Sequence, residues 1–401
     1  MDAAEHPIQI RLRDGALERG RWSVFFRLVM ALPQLIWLSV WAPLQLLLTF
    51  IAWFAALFTG QLPTWAHDIT VRYVRFTVHL NAYLFLAAQP WPGLMGDPGY
   101  AVDVDLPERP VPQRRWTIAL RLFLVLGPAL LAAVVAGSST SVGGVLGTLA
   151  LIAWFAALAR GAVTPGLRDA SVYAIGYGAQ VTAYALLLTD RFPCASPELS
   201  RPAPMRAHPV AATLDDDLRR GRMVSFFRPL LTAPHYVWLT LWGAAALVVA
   251  VIAWLAALLT GRVPAPLHRF LAAFVRYQAH VLAWMFFAAN PFPGFLGREG
   301  SYPLDVRIAA PESQHRAKTA FRLVLAVPAL LLASALSYAQ LVAAIGGLVA
   351  GVFTARMPSG LRDLSAWSVQ YTTQTYAYAL LLTDRYPDSA PTLRQAPEPA
   401  T

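Results

Sequence analysis

Asp68, Arg72, Arg75 and His79 follow one another at spacings of four, three and four, which places them on one face of a helix. Arg269, Arg276 and His280 repeat that stripe in the second half of the chain. Two further segments carry Asp169 with Gln180, and Asp363 with Gln370 and Gln374. The homologous position thus reads His79, Gln180, His280, Gln374. The two imidazoles would begin a metal site if the chain brought them together. Two His without a carboxylate of fixed geometry make an incomplete ligand set, so no metal or other cofactor is expected. Arg72, Arg75 and Arg276 suit phosphate, because a guanidinium contacts it through two parallel bonds. Anionic lipid headgroups are the expected source; polar residues at a membrane interface are the plainer reading of the same stripe.

Other charged clusters say less. "TDR" at Thr189–Arg191 and Thr383–Arg385 reads as a helix end with a local ion pair. "DDDLRRGR" at 215–222 balances three Asp against Arg and reads as a solvated, self-neutralising connector. "GLRD" at 166–169 and 360–363 reads as a helix start. No phosphate-cradling glycine loop, metalloprotease pair or nucleophile elbow occurs. No catalytic residue is assigned, and an enzyme is not expected.

The elements that carry the stripes belong in a membrane. Of 401 residues, 57% are hydrophobic and 13% charged, against roughly 25% charged in a soluble domain. Ser23–Ala66, Trp116–Ala159, Met223–Gly261 and Thr319–Ala355 each carry a single charge, Arg27, Arg121, Arg228 and Arg322. Each run exceeds the roughly 18 apolar residues of a transmembrane helix. Residues 1–20 are polar and lack the apolar centre of a cleavable signal peptide. Cys194 is the sole cysteine, so no intrachain disulfide forms. The net charge of +10 comes almost wholly from Arg, with Lys318 the lone lysine. Retention of positive charge on the cytoplasmic side accounts for it, and nucleic acid is not an expected partner.

The chain repeats itself. "RWSVFFRLVMALPQLIWLSVWAP" at 21–43 returns as "RMVSFFRPLLTAPHYVWLTLWGA" at 222–244. "AYALLLTDRFP" at 183–193 returns as "AYALLLTDRYP" at 377–387, with looser copies at 82–93 and 283–294. Four units result, about 6–97, 98–199, 207–299 and 300–391. They form two membrane repeats, 1–199 and 207–391, around a linker at 200–206 and before a disordered tail at 392–401. "IAWFAALFTG" (51–60), "IAWFAALARG" (152–161) and "IAWLAALLTG" (252–261) each end on a glycine suited to stopping a helix, with Pro63, Pro165 and Pro264 close behind. Each unit opens on a period-two stretch: "HPIQIRL", "YAVDVDL", "HPVAATL" and "YPLDVRI". These predict four half-buried strands able to form one small cytoplasmic sheet.

The chain resembles a bacterial membrane family defined as domain of unknown function 4389. The resemblance rests on the "YP-x-x-V" opening, on "FFRxxxAxP" at Phe25–Pro33 and Phe226–Pro234, on "IAWFAALFTG" and on "AYALLLTDRYP". It covers nearly the whole chain, although the second and fourth units lack the paired Trp of the first helix. It implies no activity.

A single helix over 223–260 would be about 57 Å long against a hydrocarbon core of about 30 Å. "GSSTSVGG" at 137–144, a turn cluster where the fourth unit is about seven residues shorter, suggests folding back. The expected fold is therefore an all-α polytopic membrane protein of four helical hairpins, split near Trp41, Gly137, Gly243 and Tyr338. It has eight spans, with both termini cytoplasmic in the inner membrane. The four lone Arg snorkel to the interface, and the polar-stripe segments lie on it as amphipathic helices. Twelve spans is the alternative, with the stripe segments crossing as well. The expected role is a non-enzymatic scaffold that contacts membrane lipids or a protein partner in the membrane. A transporter or lipid flippase, with a path between the repeats, is the alternative.

Overall fold

The computed structural model describes residues 6–137, 144–197, 208–391 and 394–395. The linker at 200–206 lies outside them. The chain forms two compact halves, Met1–Ala195 and Ser196–Thr401. In the first half, β1 (Gln9–Leu12), α1 (Arg21–Phe25), α2 (Arg27–Met30), α3 (Leu32–Thr59) and α4 (Thr64–Leu84) make one unit. The next is β2 (Val102–Asp105), α5 (Arg115–Ala119), α6 (Arg121–Val135), α7 (Gly144–Arg160) and α8 (Pro165–Ala185). The second half repeats the order with β3 (Val210–Leu214), α9 (Arg222–Leu231), α10 (Ala233–Thr260) and α11 (Ala265–Met285). It ends with β4 (Leu304–Ile308), α12 (Arg316–Ala320), α13 (Arg322–Thr354), α14 (Ser359–Ala379) and β5 (Arg394–Gln395).

The apolar runs do not fold back. α3 and α10 are unbroken over 28 residues, through Trp41 and Gly243, and α13 over 33, through Tyr338. The expected hairpins are absent there because nothing at Trp41 or Tyr338 favours a turn over another helical bond. Only the second unit breaks, between α6 and α7, and residues 138–143 of that turn cluster lie outside the described ones. Gly144 sits directly on the end of α6: a Cβ there would stand 2.3 Å from the Val134 carbonyl. α6 and α7 both pack on α8, as α13 packs on α14. α6 and α7 thus lie along one helical path. Three helices, Leu32–Thr59, Arg222–Thr260 and Arg322–Thr354, are long and apolar enough to cross a membrane.

The polar-stripe segments α4, α8, α11 and α14 are central rather than peripheral. α4 packs on α8 and α11 on α14, with the long helices outside and the strands above. α14 buries sixteen of its residues, Trp367 and Gln374 among them. The expectation of interfacial helices fails because the strands and the long helices cover their polar and apolar faces alike.

The four strands do not share one sheet. β1 pairs antiparallel with β2, Ile10 opposite Val104, and β3 with β4, Ala212 opposite Val306. β5 lies parallel to β3, Thr213 opposite Arg394. Part of the tail expected to be disordered is therefore paired; the rest of 392–401 lies outside the described residues. The strands pair within a half because each is tied to the core helix of its sister unit. Gln180 of α8 donates to Ile8 O at 3.2 Å, and Gln374 of α14 to Val210 O at 3.0 Å.

The glycine that ends each apolar phrase has the expected left-handed backbone, with φ of +77° at Gly60, +72° at Gly161 and +74° at Gly261. Its carbonyl is then taken by the sister unit. Gln113 N donates to Gly60 O at 2.8 Å, Arg19 N to Gly161 O at 2.7 Å and Gln314 N to Gly261 O at 2.8 Å. In the fourth unit Ala355, also left-handed at +57°, accepts from Arg220 N at 2.9 Å.

Candidate functional site

The polar side chains gather in two layers of each half: under the strands, and where a core helix ends. Under the strands, the stripe splits. Asp68, Arg72 and Arg269 are exposed, Asp68 lying 3.3 Å from the His67 ring. His79 is buried and bonds Asp103 of β2 at 3.2 Å; Arg75 stands 3.4 Å from the same carboxylate oxygen. Gly99 N donates to the other Asp103 oxygen at 2.8 Å. The second half repeats this: His280 bonds Asp305 at 3.1 Å, and Gly300 N donates to Asp305 at 2.7 Å. Arg276 donates to Val306 O at 2.8 Å, Gly297 O at 3.2 Å and the Glu299 carboxylate at 3.1 Å. A tyrosine ring covers each imidazole, Tyr100 at 4.6 Å and Tyr302 at 4.9 Å. In the homologous places Gln180 accepts from Cys194 N at 3.0 Å, and Gln374 from Asp388 N at 2.9 Å.

Burial lowers the His79 pKa, against the pull of Asp103 the other way. For Asp103, burial alone would raise the carboxyl; the Gly99 and Val104 N–H groups and His79 outweigh it and hold it below its ordinary value. The resulting dyad has neighbours that are backbone amides, Arg and Tyr. It is arranged to fasten a strand to a helix. Among the described residues no three His, Cys, Asp or Glu side chains gather as metal ligands.

The second layer was hidden from the sequence. The lone Arg of the apolar runs are buried, Arg27 at 3% exposure, Arg121 at 2%, and Arg228 and Arg322 at 1% each. They do not snorkel. Arg27 donates to Tyr83 O at 2.6 Å and Ala88 O at 3.1 Å, and lies over the Tyr83 ring. Arg228 donates to Trp284 O at 2.7 Å, Ala289 O at 3.2 Å and the Asn290 side chain at 3.1 Å, between the Trp284 and Phe287 rings. Arg121 reaches Thr189 O and Asp190, and Arg322 reaches Thr383 O and Asp384. The carbonyl-rich end of a helix carries partial negative charge, so a cation fits there. The Asp of each "TDR" thus pairs with a distant Arg at the helix start, Asp190 with Arg121 and Asp384 with Arg322.

Eight residues before each of these Arg stands a second anchor: Arg19, Gln113, Arg220 or Gln314. Its side chain donates to the carbonyl of a left-handed residue just past the core helix, Leu86, Leu187, Phe287 or Leu381. Four non-glycine residues at φ of +60° to +65° are held there by these bonds. Asp216 grips Arg220 through two bonds, 3.1 and 2.8 Å, with both side chains almost fully buried. The "DDDLRRGR" connector is therefore self-neutralising, with Asp215, Asp217, Arg219 and Arg222 exposed as expected and only the Asp216–Arg220 pair buried. The signal available in sequence was the fourfold recurrence of the eight-residue spacing.

The sequence pattern of the family described as Domain of unknown function (DUF4389) matches this chain four times, over residues 21–93, 115–196, 222–296 and 316–389. The chain belongs to the DUF4389 family. Each DUF4389 match opens at the short first helix, on Arg21, Arg115, Arg222 or Arg316, and runs through the long helix and the core helix. It takes in the capping Arg and its acceptors and leaves the strands between matches. No curated protein matches the chain, and no solved structure does.

Proposed function

We propose that this chain is a membrane protein with a structural role, in contact with lipid through its long helices. One observation carries the reading: the polarity of these helices is inverted. α3 buries Gln34 and Gln45 and exposes Ile36, Leu47, Phe50 and Phe58. α10 buries His235 and exposes Val237, Leu247 and Leu259; α13 buries Gln340 and exposes Leu323, Tyr338 and Phe353. The buried groups are engaged, Gln45 with Thr70 at 2.8 Å, His235 with Tyr277 at 2.7 Å and Gln340 with Ser365 O at 3.3 Å. Monomeric proteins in water do not expose apolar faces of this extent.

Exposed Arg at the ends of the long helices supports contact with anionic headgroups. Arg21 donates to Ala159 O at 3.2 Å, which places it beside exposed Arg160, and exposed Trp22 adjoins it. Arg316 donates to Leu259 O at 3.0 Å, beside exposed Arg262. Arg with Trp is the pairing that suits the headgroup layer. Arg72 and Arg269, both exposed, remain candidates for phosphate contact. The inner membrane is the proposed location. Purified chain is mixed with vesicles of phosphatidylcholine alone or with phosphatidylglycerol, then floated on a density gradient. Flotation that resists high salt and alkaline carbonate supports the reading. A chain that stays at the bottom as a dispersed, folded species sinks it.

A further inference from the structure

We infer that within each half the long helices lie along one leaflet, side by side in the membrane plane, and do not cross the bilayer. This rests on the lipid contact proposed above and specifies its geometry.

Three observations lead there. The long helices of a half run antiparallel. Trp53, near the end of α3, donates to Ile118 O at the start of the sister's helices, and Trp154, near the end of α7, donates to Val24 O. Trp254 of α10 donates to Thr319 O in the same way. With the glycine carbonyls bonded across, each long helix ends where the other begins.

Next, the strands lie over the middle of the core helices, opposite the long ones. Gly176, midway along α8, would place a Cβ 3.0 Å from Ile10 of β1. Arg276, midway along α11, bonds Val306 of β4. The outer side of each strand pair is charged and open to solvent, with the side chains of Arg11 64% and Arg307 84% exposed. If the long helices crossed a bilayer, these charges would stand near mid-depth, where they are very costly.

Third, the exposed apolar face is too long. Arg222–Thr260 spans 39 helical residues, about 58 Å at 1.5 Å per residue, against about 30 Å of hydrocarbon. Apolar exposure persists at both extremes, 69% at Met223 and 76% at Leu259, and again at Trp22 and Phe58. A helix lying in the plane uses the whole of that face. The strands then face water, and the exposed Arg at the ends of the long helices, Arg21, Arg160, Arg222, Arg262, Arg316 and Arg356, reach headgroups on one side.

Side-specific labelling tests this in membrane vesicles of known orientation. In a Cys194→Ser chain, single cysteines are placed at Arg222→Cys, Arg262→Cys and Arg307→Cys, and probed with a membrane-impermeant maleimide. Arg356→Cys, at the end of α13 on the Arg222 side, repeats the test on the sister helix. All four positions are expected to label from the same side and none from the other. Labelling of Arg222→Cys and Arg262→Cys from opposite sides overturns the inference while leaving lipid contact standing. A chain that does not float with the vesicles overturns both.

Discussion

Arg228→Lys is the sharpest probe of the capping layer. Arg228 is 1% exposed and feeds Trp284 O, Ala289 O and the Asn290 amide oxygen from two nitrogens of one plane, stacked between Trp284 and Phe287. Lysine keeps the charge but presents a single, more strongly hydrated head. It reaches one of the three acceptors well. A buried acceptor stripped of its donor costs about 1–3 kcal/mol, so losing two of the three comes to about 2–6 kcal/mol. For a body of roughly 200 residues, each kcal/mol moves the melting temperature by about 2–4 °C, giving a drop of about 4–24 °C. Thermal unfolding in detergent, followed by circular dichroism at 222 nm, reads it. Arg222→Lys, on an exposed arginine of the same helix, is the control and should stay within about 0.5 kcal/mol of the parent. If Arg228→Lys melts with the control, the plane of the guanidinium is not what holds the helix end, and the role assigned to all four lone Arg fails with it.

Gly297→Ala should destabilise by at least ~2 kcal/mol, because a Cβ there stands 2.3 Å from Ala273 O and 2.7 Å from Tyr277 N with φ at +55°. Gly161→Ala, with nothing near its Cβ position, should cost only about 1 kcal/mol; equal melting temperatures would count against the close approach. The fold should weaken in mild acid: the His79 pKa lies below its ordinary 6.5, so its contribution is complete above that pH and is lost as pH falls below it. Asp103, held below 3.8, acts in the same direction further down, losing its contribution as pH falls toward its folded value. His79→Gln, which copies the residue at Gln180, should flatten the fall in melting temperature between pH 7 and pH 5; an unchanged slope would show that His79 does not titrate as proposed. Some slope should remain, since burial also lowers His6 and His208.

What could be read in advance follows from which contacts leave a trace in residue type. Repetition, the glycine stops and the alternating strands do, since each reflects a local backbone demand. The direction of a long apolar helix does not. Leu, Val and Ala serve equally in one unbroken helix or in two arms of a hairpin, and the turn residues ahead of Gly144 pointed to the hairpin although α6 and α7 follow one path. The lone Arg were read against lipid because their acceptors, the carbonyls of Tyr83, Thr189, Trp284 and Thr383, belong to the backbone and have no sequence signature. The stripe of Arg75 and His79 was legible as a helix face, but not what covers it, because Asp103 arrives from the sister unit's strand.

The same contacts explain why the units come in pairs. Taken alone, a unit leaves the carbonyl that closes its long helix without a donor, its Trp53-type indole without an acceptor and its strand without a partner. The sister unit satisfies all three, and it needs the same three in return: Gln113 N meets Gly60 O while Arg19 N meets Gly161 O, and β1 meets β2. Two antiparallel copies therefore close every one of these bonds, whereas one copy or three would leave a set open, each open polar group costing about 1–3 kcal/mol where it is buried. The second half closes its carbonyl pair and its strand pair in the same way, through Gln314 with Gly261, Arg220 with Ala355 and β3 with β4, while only Trp254 supplies an indole, the long helix of the fourth unit having none. The glycine at the end of each apolar phrase is thus a joint between copies as well as a helix stop. In the fourth unit the phrase has lost that glycine, yet Ala355 still takes the left-handed turn at φ +57°, because the carbonyl it presents to Arg220 is what the pair requires.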